Sequence, residues 1–406
     1  MKKLNLKMLA SDEVLQKRQV IRNWRVILFK IMFISIFWTC FSCGKKTDPE
    51  TDVKEVSYFF EKVDSIRIER ENTIRILDFN SATQRFLAVD NITQEFLILD
   101  EKGQILKSIF NKGEGPNEYN TSLIAASFNQ EGEGIFALSS TEFLWFNEDW
   151  DIIERRKFAS QRVIKVYGGP KTKVPYFRLF EGKIPHFFTS FFSRINHFAG
   201  GEEDEIFSEY LIEMYDPKKQ SLDWVFRNDP KVIPSYELND DKRKTYPVQI
   251  YSIDTETKFM YLTFERSNEI GVYDLAKDFQ PVEKMNFQHK NFPATQKAKN
   301  NEVILFSPDL IGLFYFEGLS EAATEIRKAE NPDYFPFRDP LLYKFIVLKN
   351  GLQQRAEIDF PQTCEPHSEM VIMDDNQILL RDKYTGNDEP TYSTYSVFEL
   401  KQSFLP

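Results

Sequence analysis

The feature that most limits what this chain can fold into is a hairpin unit that returns six times after residue 57. Residues 85–110 read RFLAVDNITQEFLILDEKGQILKSIF: a β-rich run, a polar turn, a second run over Phe96–Leu99, a tight turn at Asp100–Gly103, and an alternating third run. Alternation of apolar and polar residues marks half-buried strands, and Gly beside acidic residues marks a hairpin. The same rhythm returns at 135–158, at 209–226 after a strand at Tyr176–Phe180, at 258–287, at 343–360 after a strand at Glu302–Phe306, and at 370–400. Each unit presents an apolar sheet face that it cannot bury alone. Stacking the units around a ring buries those faces and leaves only short edges. The expected fold is therefore all-β, a single β-propeller in which six blades are favoured; seven shorter blades also fit. The stretch from Val56 to Phe79 is read as the strand that closes the ring by joining the last blade. A β-sandwich followed by a second β domain is the competing architecture, but no linker-like change of composition follows residue 56.

Six blades over this length leave about 59 residues each, against roughly 40–50 for four strands. The surplus is assigned to loops, mainly 181–208 and 307–340. Helix signals are few. Ser320 can cap a short helix over Glu321–Lys328, ahead of the breaker Pro332.

The first 43 residues read as an address. Lys2, Lys3, Lys7, Lys17, Arg18, Arg22, Arg25 and Lys30 face only Asp12 and Glu13. An apolar run from Ile31 to Phe41 follows, long enough for a signal peptide and short for a membrane span of about 20 residues. It ends Cys40-Phe41-Ser42-Cys43-Gly44, which resembles a bacterial lipoprotein box. The reading is a signal peptide over 1–42, a lipidated Cys43 with a flexible tether to residue 56, and a propeller domain over 57–406. An uncleaved anchor helix over Val26–Cys43 is the alternative, and a start at Val26 would explain the long basic leader. Cleavage before Cys43 leaves 364 residues with 44 basic and 60 acidic side chains, a charge of −16. Such a chain is soluble and repelled by anionic lipid, so acyl chains on Cys43 would have to hold it at a membrane. The expected location is the cell envelope, as an outer-membrane lipoprotein facing the periplasm or the exterior. A nucleic-acid partner, which needs a basic face, is not expected. With Cys43 acylated, Cys364 is the sole remaining thiol of the mature chain and no intramolecular disulfide can form.

After the first hairpin comes Lys112-Gly113-Glu114-Gly115-Pro116-Asn117-Glu118-Tyr119. This segment, the blades FLAVDN…FLILDEKGQILKSI and IGVYDLAKDFQPVEKMNF, and the lipoprotein start resemble the six-bladed β-propeller lipoproteins of Bacteroidota. These are families of unknown function with folds like the NHL and TolB propellers. The resemblance covers roughly residues 57–400 and implies the fold without naming a ligand. In physical terms Gly113 and Gly115 permit positive φ, and Pro116 biases Gly115 away from the helix. The segment reads as a loop joining blades, with Glu114, Asn117 and Glu118 as candidates for a site near the axis. It is not a nucleotide loop, because no Lys-Ser or Lys-Thr follows the glycines.

Other chemistry is sparse. The histidines His186, His197, His289 and His367 lack metal-ligand spacing. No Gly-x-Ser-x-Gly elbow occurs, and Cys364 with His367 in TCEPHSE is a weak nucleophile pair. The run Glu202–Glu205 lacks the alternation of a calcium loop. No cofactor or metal is expected. The segment HFFTSFFSRINHFAGG places Phe187, Phe188, Phe191 and Phe192 in one insertion, read either as cover for a blade edge or as an aromatic platform for a sugar or peptide. Asp64-Ser65-Ile66 resembles a short O-glycosylation motif of Bacteroidota. The functional expectation is a non-catalytic binding or scaffold module for an envelope protein, glycan or peptide. The alternative is a propeller hydrolase or lyase acting on sugars or lactones, with a metal in the central funnel.

Lipidation has a direct test. Cys43→Ala is expected to release the protein from the membrane fraction or leave it unprocessed. Unchanged fractionation with unchanged mass would refute the reading.

Overall fold

The first strand, β1 (Val56–Glu69), does not pair with the strand that follows it. It runs antiparallel to the last strand, β25 (Tyr392–Phe404), from Val56 opposite Phe404 to Glu69 opposite Tyr392. β25 pairs with β24 (Gln377–Arg381), and β24 with β23 (Val371–Ile372). One blade thus takes its outer strand from the beginning of the chain and its inner three from the end; only Val56–Glu69 of the expected closing stretch does this, because Ile74–Asn80 is a separate strand of the next blade. The structure is a computed structural model. It describes residues 56–404 apart from 121–122, 130–133, 140, 160–172, 179–184, 189–209, 236–248, 291–297, 374–375 and 387–389.

Five further antiparallel sheets fill the interval in chain order. Blade one holds β2 (Ile74–Asn80), β3 (Arg85–Asp90), β4 (Phe96–Leu99) and β5 (Ile105–Ile109). Blade two holds β6 (Leu123–Phe128), β7 (Ile135–Ser139), β8 (Glu142–Phe146) and β9 (Ile152–Lys157). Blade three holds β10 (Tyr176–Phe177), β11 (His186–Phe188), β12 (Tyr210–Asp216) and β13 (Ser221–Arg227). Blade four holds β14 (Gln249–Asp254), β15 (Phe259–Phe264), β16 (Glu269–Asp274) and β17 (Gln280–Asn286). Blade five holds β18 (Lys299–Ser307), β19 (Leu310–Phe316) and β20 (Tyr343–Lys349), then an outer strand split into β21 (Leu352–Gln353) and β22 (Ile358–Asp359). β2 lies beside β6 and β23, and β18 beside β14 and β23, so the first strand of each of these sheets lines the axis. This is a six-bladed β-propeller.

The hairpin units read from the sequence are the outer strands of blades with four strands each. The interval 307–340, assigned to a loop, contains β19, whose seven residues are all buried. That burial hides the strand from a search for alternation, because it is covered on both faces. β7 and β4 are also fully buried but were read from their flanking turns, whereas the rim strands β5 and β17 are mostly exposed. The helix α1 (Glu321–Glu330) forms where expected, with the Ser320 hydroxyl accepting from the Ala323 amide at 3.2 Å.

Turns explain how a chain with only 16 glycines makes so many hairpins. Asp90 Oδ1 accepts from the amides of Ile92 and Thr93, Asp216 Oδ1 from Lys218 and Lys219, and Asp254 Oδ1 from Glu256 and Thr257. Four residues after each of these Asp, the left-handed position is held by Gln94, Gln220 or Lys258 rather than by Gly. The Asp carboxylate satisfies the turn amides and offsets the cost of positive φ. At Gly103 (φ +83°) a side chain is excluded twice over, because a Cβ would stand 2.6 Å from Ile66 Cγ2 and 2.8 Å from the Arg67 carbonyl.

The core is divided among the seams of the ring. Leu87, Val89 and Phe96 of blade one pack with Ala126, Leu144 and Phe146 of blade two. Equivalent clusters join blades two and three, three and four, four and five, and five and six. At the closing seam Ile66 and Ile68 of β1 pack with Ile76 and Phe86 of blade one and with Val371 and Leu379 of blade six. Arg75 reinforces this seam by pairing with Glu369, with Nε 3.1 Å from Oε2.

Ile68 has no exposed surface, so Ile68→Ala should cost about 2–5 kcal/mol. Denaturant unfolding followed by tryptophan fluorescence and by far-UV circular dichroism should still give one shared transition. Two separated transitions would contradict a ring whose seams stand or fall together.

Candidate functional site

The glycine-rich segment closes on itself. The Gly113 amide donates to the Tyr119 carbonyl, the Tyr119 amide to the Asn111 carbonyl, and the Glu118 amide to the Gly115 carbonyl. The Glu118 carboxylate accepts from the Gly115 amide at 2.7 Å, and Asn117 Nδ2 donates to Asp151 Oδ1 at 2.6 Å. Neither Gly113 nor Gly115 has positive φ, which corrects the conformational reason expected for them. The Glu118 carboxylate packs against both: a Cβ on Gly113 would lie 2.0 Å from Glu118 Oε2, and one on Gly115 3.0 Å from it, so a larger residue at either position would displace that side chain. Glu118 is thus the plug of the loop and Asn117 its tie to blade two, while Glu114 is exposed.

Phe187 and Phe188 have no exposed surface. The Phe187 ring stacks between Phe143, at 4.1 Å, and Tyr215, at 4.9 Å. In this structure both rings are core side chains at the seams of blade three and present no face to a ligand. Phe191, Phe192, His197 and Glu202–Glu205 lie outside the described residues, as does Cys43. His186 is buried against the Phe177 ring, with Nε2 3.8 Å from Asp216. Cys364 is buried, its thiol 3.5 Å from Asp382 Oδ1. Burial pushes that thiol up to about 12, so it stays protonated and is no nucleophile. Among the described residues no three His, Cys, Asp or Glu side chains come together to hold a metal ion.

Two other places gather polar groups. The first is the axis. Asp78 on β2 follows a bulge between Ile76 and Asp78, and Glu302 on β18 follows one between Asn300 and Glu302. Bulges re-aim side chains. Asp78 is almost fully buried, accepts from the Phe128 amide of blade two at 2.8 Å, and forms an ion pair with Lys173, which precedes β10. Glu302 is half-buried. This burial pushes its carboxyl up to about 7, with the Lys173 ammonium opposing the shift. Charges from blades one, three and five therefore meet across the channel.

The second place is a groove of about 760 Å³ at the rim, between blades four and five. It exists because the outer strand of blade five is interrupted. Residues 354–357 leave the ladder, while Gln354 keeps one amide bond to the Val347 carbonyl. The loop leaving β17 forms the opposite wall. Side-chain bonds to main chain join the walls. The Gln288 amide donates to Gln353 Oε1 at 2.7 Å, Gln353 Nε2 returns a bond to the Gln288 carbonyl at 2.9 Å, and the Lys290 amide donates to Glu357 Oε1 at 2.8 Å. Glu357 also accepts from the Tyr315 hydroxyl at 2.8 Å.

His289 is built into the floor. Asn300 Nδ2 donates to the carbonyls of Phe264 and Ser267, which leaves its Oδ1 to accept from His289 Nε2 at 2.7 Å. Because Asn300 Oδ1 only accepts, this bond puts a proton on Nε2, while Nδ1 lies 3.2 Å from Asn268 Oδ1. Burial holds the ring down to about 4, so it is neutral at physiological pH. Neither QHK at 288–290 nor LQQRAE at 352–357 is a recognisable motif. The one available signal was the non-alternating stretch in the last run of the fifth unit.

No protein-family model matches the chain, and no curated protein matches it. Solved structures do. A member of the DUF4221 family from Bacteroides vulgatus ATCC 8482 matches with a TM-score of 0.61 at 13% identity, over 86% of this chain and 99% of its own. A protein of Bacteroides fragilis NCTC 9343 named as exported gives 0.45 at 12% identity, over 88% and 98%. A luciferin-regenerating enzyme gives 0.41 at 8% identity, over 82% and 95%. At these identities the first match shows a shared fold, and it agrees with the resemblance to Bacteroidota propellers of unknown function.

The two perturbed groups act on stability in opposite directions. His289 titrates near 4 in the folded chain against about 6.5 unfolded. Its contribution is present above 6.5 and is lost as pH falls toward 4. Glu302 titrates near 7 folded, above its ordinary 4.5. Its contribution is complete below 4.5 and is lost as pH rises through 7. After a discount for partial exposure, each is worth ~1–2 kcal/mol. Melting curves across pH 4–8 should therefore flatten on the acid side in His289→Gln and on the neutral side in Glu302→Gln. Unchanged curves would show that neither group is perturbed.

Proposed function

We propose that this chain is a non-catalytic binding module of the cell envelope, held at the membrane by lipid on Cys43, which seats a polar ligand in the rim groove. The observation that carries this reading is the state of the groove walls. Gln353, Glu357 and His289 are already fixed by hydrogen bonds to the frame, Glu357 partly by the buried Tyr315 hydroxyl. A ligand arriving there meets oriented partners and loses little to their ordering. The groove offers no activated nucleophile: its histidine is neutral and bonded to Asn300. The envelope location rests on the basic leader, the apolar run and the Ser42-Cys43-Gly44 junction. The partner is an envelope protein, a glycan or a peptide.

A second reading is favoured by one observation at the axis. A carboxyl near 7 beside an ammonium is suited to general acid–base work. It supports a hydrolase or lyase acting on sugars or lactones, with Glu302 moving the proton.

The two readings separate in one experiment. Fractions of envelope extract would be screened for ligands that raise the melting temperature. A ligand at 100 times its dissociation constant adds about 2.7 kcal/mol. The binding-module reading expects this gain to disappear in Lys290→Glu/Arg355→Glu and to persist in Glu302→Gln. Turnover of a fraction component that is lost in Glu302→Gln would favour the enzyme instead.

A further inference from the structure

The groove's chemistry narrows its ligand, and we infer that it takes a short uncharged saccharide; this rests on the binding-module reading above. Three observations converge. The charges lining the groove balance: Lys290, Lys344 and Arg355 stand against Glu317, Glu357 and Asp359. Lys344 and Asp359 are paired with each other. A lining without net charge gives no field to draw in a polyanion or a polycation.

Three primary amides, Gln288, Gln353 and Gln354, share this lining. Each carries two N–H donors and a carbonyl acceptor. A sugar hydroxyl likewise donates once and accepts twice, so a wall of amides and carboxylates beside ammonium groups matches a polyol at every hydroxyl. Gln353 is committed to the Gln288 main chain. The Gln288 side chain lies on the exposed side of that clamp.

The groove exposes more polar than apolar surface. Among the described residues Ala356 is its one apolar lining side chain, and the rings beneath it, Phe287 and Tyr315, are buried. A peptide with large apolar side chains, or an acyl chain, would find no apolar side-chain pocket among these residues. The volume of about 760 Å³ falls within the roughly 300–1,000 Å³ of small-ligand sites.

The test uses the full-length chain and isothermal titration calorimetry. The neutral probes are maltotriose, cellotriose and triacetylchitotriose; trigalacturonate and trialanine are the anionic and peptide probes. At least one neutral trisaccharide is expected to bind, and its affinity to fall tenfold or more in Gln288→Leu/Gln354→Leu. Lys102→Ala, in the exposed turn between β4 and β5, should leave that affinity unchanged. The melting temperature of each variant, measured alone, separates lost binding from lost folding. Failure of all three neutral probes overturns the saccharide assignment, as does binding that the double variant leaves intact or selective binding of trigalacturonate. Trialanine binding that the double variant abolishes also overturns it, while leaving the binding-module reading standing. That reading falls separately if no envelope fraction stabilises the protein through the groove.

Discussion

Everything in this protein depends on packing across the seams between blades. A four-stranded antiparallel sheet with two apolar faces has no stable existence in water. Here each face is covered by the next blade, and every core cluster draws side chains from two neighbouring sheets. Aromatic rings do much of this filling. Phe143, Phe187 and Tyr215 form a continuous stack across the seam of blades two and three. Such rings bury large areas while constraining orientation, and many of the chain's 38 phenylalanines serve here. The ring must also close, and β1 closes it by pairing with β25 at the far end of the sequence. Stability is therefore non-local, because the first strand is ordered only when the last has arrived.

This demand on the sheets shifts the local chemistry onto the turns. Hairpins usually place glycine wherever the chain goes left-handed. This chain keeps Gly at a few such positions, Gly103 among them, but at Gln94, Gln220 and Lys258 it places other residues and uses an Asp at the preceding strand end to satisfy the turn amides. The glycines that matter leave room for a neighbour. Gly103 admits the closing strand, and Gly113 and Gly115 admit the Glu118 carboxylate. The segment that looked most like a functional motif is thus a compact tie between blades one and two.

Polar groups that do not serve the seams collect in two places with different physics. On the axis, bulges re-aim Asp78 and Glu302, where burial raises the Glu302 carboxyl and an ion pair holds Asp78 to Lys173. At the rim, a break in one outer strand exposes main chain and side chains together, and hydrogen bonding sets their positions. The rim strand can be broken because it contributes little to a seam. An equal break in β19 would open the core on both faces.

The hairpin rhythm, the helix behind Ser320, the ring of blades and its closure by the first strand were legible in the sequence, because each depends on residues close together or on the sum of many weak periodic signals. Strand β19 was not, since a strand covered on both faces carries no alternation. Nor were the true roles of Phe187 and Glu118, because exposure is a property of what packs above a side chain. The candidate sites were the least legible. Asp78, Lys173 and Glu302 are brought toward one another by ring closure, and Gln288 meets Gln353 because blades four and five are neighbours. The sequence alone determined the repeating unit and the need to stack it, since apolar faces must leave water whatever their neighbours. Only the tertiary structure decided which polar residues meet, because their partners lie on other blades and nothing in local spacing encodes the distance around the ring.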